Sequence, residues 1–213
     1  MKVEVGESLM YSYLCHIKGC QIVQTNWKMS SVWPRYNVTA IENFLEKVRS
    51  LYSAKYNYAV FKQTASVAQV LKQCECDVVG VCVGEDKNTY YSVDVAFHEG
   101  GLNYKSKEET AAKIVAKMAK AAMCLYGCFN AVDGEIIFCS PKTTPAYLNA
   151  IIPCVEDLNT LFKEYGFRFT AKVITNEQFK MTILDPVLEK SKHIADTSEL
   201  FVRSCQLLKM FYA

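Results

Sequence analysis

Two aspartates, Asp77 and Asp94, stand inside runs of residues that otherwise suit a buried sheet. Cys76 to Val83 reads CDVVGVCV, and Tyr90 to His98 reads YYSVDVAFH. Aspartate is disfavoured in strands, and an ionised carboxylate in an apolar layer is costly unless a cation or a metal compensates it. Gly84 to Asn88 is a loop short enough to make the two runs an antiparallel hairpin, which can bring the carboxylates together at one end of the sheet. On the second strand Asp94, Ala96 and His98 share one face, and Val93, Val95 and Phe97 the other. On the first, Glu75, Asp77, Val79 and Val81 share a face. Two convergent carboxylates are hard ligands suited to Mg2+ or Mn2+, completed by water and a substrate phosphate. A metal held that way can activate water and stabilise the charge that develops on a cleaved phosphodiester. The plain alternative is a pair of strand-end aspartates, solvated or matched by lysine.

Other residues suit contact with DNA. The segment Gln21 to Arg35 sets Trp27 and Trp33 beside Lys28 and Arg35, aromatic faces among cations. The same tryptophans serve equally well as satellite core under a loop. Lys142 lies among hydroxyls ahead of a helix start, a natural phosphate contact. Asn103, Tyr104 and Lys105 form a second polar cluster before another helix. No Walker A loop, dinucleotide-binding glycine motif, nucleophile elbow or zinc-protease motif is present.

Composition narrows the class further. The chain has 213 residues, 51% apolar and 22% charged, with a net charge of +2. That describes one globular domain over 1–213 and excludes a polycation, while leaving room for a local basic groove. No run of about 18 uncharged apolar residues exists, so no membrane span is expected. Glutamates within the first seven residues argue against an export signal, and the expected location is cytoplasmic. The ten cysteines lack the Cys-x2-Cys spacing of structural zinc, and the expectation is reduced thiols filling the core.

The elements that must position these residues are marked by turn chemistry. Thr39–Glu42 and Ser106–Glu109 read as capping boxes, each ahead of an apolar helical stripe, with Gly127 as the stop of the second helix. Thr144-Pro145 opens a helix that ends before Gly166. Asp196–Glu199 precedes a C-terminal helix, and a short helix fills residues 7 to 15. Further strands are expected at 136–140 and 167–174, with a weaker one at 56–61. The order gives an α/β chain: a central mixed sheet flanked by helices.

On these residues the chain resembles the PD-(D/E)XK nuclease superfamily, whose core runs helix, three-stranded meander, helix, strand. Asp77 takes the first acidic position and Asp94 the second, 17 residues later. The resemblance covers about residues 40 to 141, with N- and C-terminal helical additions. It implies a restriction-endonuclease-like three-layer sandwich and a Mg2+-dependent endonuclease (or Mn2+-dependent) acting on DNA, with a homodimer left open. One position departs: Ala96 stands where the family places its lysine. The resemblance lets that lysine come from the following helix, where Lys113 and Lys117 lie four apart, and makes His98 a second candidate proton carrier. His98 to Gly101 reads equally as the strand's exit turn, and the two lysines as a solvated helix face. A helix acid, Glu42 or Glu46, would complete the metal site. Without such a lysine, the chain would keep the fold and bind DNA or protein without cutting.

Overall fold

Strands with one apolar face and helices with one apolar stripe must bury those surfaces against each other, and here they do so in layers. The protein is described by a computed structural model over residues 4–30, 32–61, 66–72, 74–102, 104–195 and 197–212. In chain order the elements are α1 (Val5–His16), β1 (Ile22–Lys28), α2 (Val38–Tyr56), α3 (Val67–Lys72), β2 (Glu75–Cys82), β3 (Thr89–Val95) and α4 (Lys107–Phe129). Then follow β4 (Asp133–Ser140), α5 (Pro145–Glu164), β5 (Arg168–Thr175), α6 (Asn176–Phe179), a π-helical turn (Lys180–Leu184), α7 (Asp185–Ser191) and α8 (Leu200–Tyr212). The five strands lie in the order β1-β2-β3-β4-β5. The first three form an antiparallel meander, and β3, β4 and β5 run parallel.

Helices α2 to α5 cover one face, where Phe44, Tyr52, Ile114, Met118, Phe138 and Phe162 are fully buried or nearly so. On the other face α1 and the α6–α7 segment pack Met10, Leu14 and Ile183 against Val78, Val93 and Ile137. Each such side chain, taken from water, contributes about 1.5–3 kcal/mol. All ten cysteines are free thiols, six of them buried, as their spacing suggested. Among the described residues no helix is long and apolar enough to cross a membrane.

Several local expectations hold. Ser106 caps α4, its hydroxyl accepting from the Glu109 N–H at 3.1 Å. Thr144 and Pro145 start α5, which stops at Glu164 before Gly166. Others are corrected. Helix α2 begins at Val38 behind Asn37, whose left-handed backbone makes it the N-cap in place of Thr39. Helix α4 does not stop at Gly127 but runs to Phe129 and ends on left-handed Asn130. Gly127 is instead a packing position: a Cβ there would stand 3.0 Å from Ile41 Cδ1, so the glycine lets α2 approach. No strand forms in the described part of 56–61, because α2 runs through Tyr56 and caps on Asn57. A strand does form at Ile22–Lys28, where none was expected; its polar centre, Gln24 to Asn26, hides the alternation. Asp196 lies outside the described residues.

Candidate functional site

Asp77 and Asp94 meet where the β2–β3 ladder ends. The last paired residues are Val78 and Val93, and one step further the same register sets Asp77 opposite Asp94. On the other side, the pairs Thr25–Val78 and Trp27–Cys76 bracket Asn26 opposite Asp77. The row is not regular sheet. Asn26 has φ 51°, a left-handed conformation that asparagine tolerates better than most residues but that is rare inside a strand. Alternation breaks there on both strands. Val78 packs with the α1-side core, while Cys76 and Val79 both pack with the α4-side core. The expected shared face of Glu75, Asp77, Val79 and Val81 is therefore interrupted at Asp77.

This break lets each carboxylate find a different partner. Asp77 Oδ2 accepts the Val95 backbone N–H at 2.7 Å. Asp94 faces α4, where Lys117 Nζ donates to its Oδ1 at 2.7 Å. The Asp94 side chain is only 13% exposed, so its charge is held by that lysine more than by water. From the opposite face comes Glu7 of α1, itself buried, whose Oε2 accepts from the Asn26 side-chain amide at 2.8 Å. Gly6 permits this approach, since a Cβ there would lie 3.0 Å from Phe97 Cβ and 3.3 Å from Val95 Cγ2.

The charges are crowded. Burial, then the Asp94 charge, pushes the Asp77 carboxyl up from 3.8 to about 6, with Glu7 adding to the push and the Val95 N–H and Lys117 opposing it. For Lys117, burial disfavours the ammonium, but the Asp94 charge and hydrogen bond, with Tyr104 and Asp77, outweigh it and the net shift is upward. Burial likewise raises the Tyr104 phenol, Lys117 opposing and both aspartates adding.

Asp77 Oδ1 and Asp94 Oδ2 accept no hydrogen bond from a described residue. Among the described residues no group of three or more His, Cys, Asp or Glu side chains could hold an ion. The available donors are two carboxylates, each with one oxygen that no described residue occupies; Mg2+ on such a pair would need water and phosphate for its remaining positions. Glu7 adds its charge against Asp77 and holds the Asn26 side chain.

The remaining candidates separate. Lys113 is exposed, with its Nζ 5.1 Å from the Tyr104 ring centroid rather than on an aspartate. His98 lies beyond β3 in an exposed turn closed by the Gly101 N–H on its carbonyl, with its ring edge-on to Tyr104 at 6.2 Å. Ala96 is core, 2% exposed, so the strand itself offers no lysine there. Glu42 and Glu46 face a separate cleft beside Ser66 and Val70, and Glu46 pairs with Arg49. The helix acid nearest the aspartates is Glu7.

Trp27 is 4% exposed, packed on Trp33 and Phe129, so its ring is a core side chain and not a stacking platform. Lys28 pairs with Glu75 at 2.9 Å across the β1–β2 ladder. Lys105 sits 3.7 Å from Glu109, and Lys142 donates to the Glu99 carbonyl at 3.3 Å. Asn103 lies outside the described residues. Sequence reasoning missed Glu7 and Asn26. The signal for Glu7 was an acid in the otherwise apolar and small run Val5 to Met10; Asn26 carried none.

Compared with known proteins, the chain matches no family model, no curated protein and no solved structure.

Proposed function

We propose that this protein is a metal-dependent nuclease that hydrolyses DNA phosphodiester bonds at the Asp77–Asp94–Lys117 centre. One observation carries the reading: two partly buried carboxylates on neighbouring strands raise each other's cost, with one ammonium, bonded to Asp94, to offset two negative charges. A divalent cation relieves that imbalance. The element sequence α1, β1, β2, β3, α4, β4 runs parallel to the helix, meander, helix, strand core of the PD-(D/E)XK nucleases. On that likeness the core begins at α1, near residue 5, with α2 and α3 inserted into the meander, instead of near residue 40.

Asp77 and Asp94 would hold Mg2+, which when bound supplies positive charge to the scissile phosphate and acidity to a water. The chain's own groups do the rest. Val95 N–H fixes the Asp77 carboxylate through one oxygen and leaves the other free. Lys117, anchored on Asp94 Oδ1, keeps two N–H donors for phosphate oxygens, and its raised proton affinity keeps it charged as negative charge builds. Lys117 in this reading does from α4 what a lysine at position 96 would do from β3.

A second reading, a DNA- or protein-binding member of the same fold without cleavage, is favoured by Ala96 and by the closed Lys117–Asp94 ion pair. Incubation with plasmid and single-stranded DNA in Mg2+ or Mn2+ separates the two. Cleavage abolished in a folded Asp94→Ala variant supports the nuclease; equal cleavage by that variant removes this site from consideration. Mg2+-dependent thermal stabilisation should be present in the wild type and lost in Asp77→Asn.

A further inference from the structure

Lys117, the partner of Asp94, also borders a longer depression. An open groove of about 710 Å³ runs along α4, with Tyr58, Tyr104, Lys113, Lys117 and Lys120 in its lining and Glu108 and Glu109 at the helix's N-terminal end. Lys117 and Lys120 also line a smaller pocket of about 180 Å³ that contains Asp77, so the same two lysines border both the groove and the aspartate centre. On α4, positions 113, 117 and 120 follow helical spacing and place three ammonium groups along about 10 Å of one wall. Among the described residues neither Lys113 nor Lys120 has a carboxylate partner, so both charges remain open to an anion.

Aromatic rings line the same groove. Tyr52, Tyr56 and Tyr58 form a stack, with centroids 5.7 Å and 5.4 Å apart and planes within about 22°. Tyr52 is fully buried at its inner end, and Tyr58 lines the groove at its outer end. The stack thus delivers an aromatic ring, already held on one face by Tyr56, to the groove. Tyr104 supplies a second ring, with Lys113 above it.

A row of cations beside aromatic rings is the pairing that holds an unpaired strand, because phosphates follow the charge while bases stack on the rings. A duplex offers the phosphates but keeps its bases stacked inside, out of reach of Tyr58. We propose that the α4 groove binds single-stranded DNA, a base continuing the Tyr52–Tyr56–Tyr58 stack and the backbone passing Lys113 and Lys120 towards the aspartates. The inference deepens the nuclease reading by naming its substrate as an unpaired strand, and rests on that reading for where the strand leads.

The test is fluorescence anisotropy in EDTA with a labelled oligothymidine and a labelled duplex of equal length. The wild type should bind the single strand more tightly. Tyr58→Ala should weaken single-strand binding by roughly 5- to 100-fold, the loss of one stacked base. The double variant Lys113→Gln/Lys120→Gln should weaken it too, and should flatten the dependence of log affinity on log salt by about 1.4, two phosphate contacts at about 0.7 each. Circular dichroism checks folding of Tyr58→Ala, and the lysine variant tests the groove without touching the tyrosine stack. Duplex bound as tightly as the single strand, or wild-type binding by both variants, overturns the proposal. The two readings fail differently. Mg2+-dependent cleavage of duplex with no preference for single strands overturns the groove assignment and leaves the nuclease. Tight single-strand binding with no cleavage of any DNA overturns the nuclease and leaves the groove.

Discussion

Replacing Asp77 by Asn removes a charge that the fold holds at a cost. The Asp77 carboxyl is raised from 3.8 to about 6 by burial and by Asp94. At about 1.4 kcal/mol for each factor of ten in proton affinity, the ionised form is roughly 3 kcal/mol less favourable in the folded chain than in the unfolded one. The sign follows from proton binding. Between 3.8 and about 6 the folded chain keeps a proton that the unfolded chain has released, so stability falls as pH rises through that window and stays low above it. Asparagine keeps the shape and an oxygen for the Val95 N–H while removing the charge. In EDTA, Asp77→Asn should be more stable than the wild type by about 3 kcal/mol near pH 7.5 and by only about 1 kcal/mol near pH 4.5. At about 2–4 °C per kcal/mol for a chain of this size, the gap in Tm is roughly 6–12 °C at the higher pH and 2–4 °C at the lower. Thermal unfolding of both proteins at the two pH values measures it, and taking the difference cancels the other titrating groups. An equal gap at both pH values, or a wild type more stable than the variant near pH 7.5, would refute the argument that Asp77 is charged against its surroundings.

Two further outcomes follow from the same row of residues. Lys117→Met should lower stability by about 1–3 kcal/mol in urea unfolding, since it strands the poorly exposed Asp94 carboxylate, and should lower DNA cleavage by roughly a hundredfold or more. Asn26→Ala should cost about 2–4 kcal/mol, from a left-handed backbone that alanine resists and from the lost hydrogen bond to buried Glu7; Asn26→Gly should recover the backbone part and lose only the bond.

Much of the architecture was legible because local chemistry dictated it. Ser106 had to cap, Pro145 had to start a helix, and the β-branched runs around Asp77 and Asp94 had to pair. Where the sequence misled, a residue's local preference was overruled by a partner distant in the chain. Gly127 looks like a helix stop but exists to admit Ile41. Trp27 looks like a nucleic-acid contact but fills a space closed by Phe129, about a hundred residues away. The edge strand around Asn26 was hidden because its centre, Gln24 to Asn26, is a polar run that breaks the alternation by which strands are recognised.

The candidate centre divides the same way. The sequence by itself determined that two carboxylates lie on neighbouring strands, because an acid inside an apolar run can only be costly or useful. The resemblance added that, with Ala96 on the strand, a compensating lysine could come from the following helix, and left His98 open beside it. Tertiary structure alone decided that Lys117 and not Lys113 reaches Asp94, that Glu7 and not Glu42 or Glu46 approaches from a helix, and that Tyr58 faces the same groove as Lys120. Each of those outcomes depends on how one helix is rotated and set down on the sheet. That is fixed by the close packing of its buried side as a whole, with contacts such as Gly6 against Phe97, and no spacing along the chain encodes it.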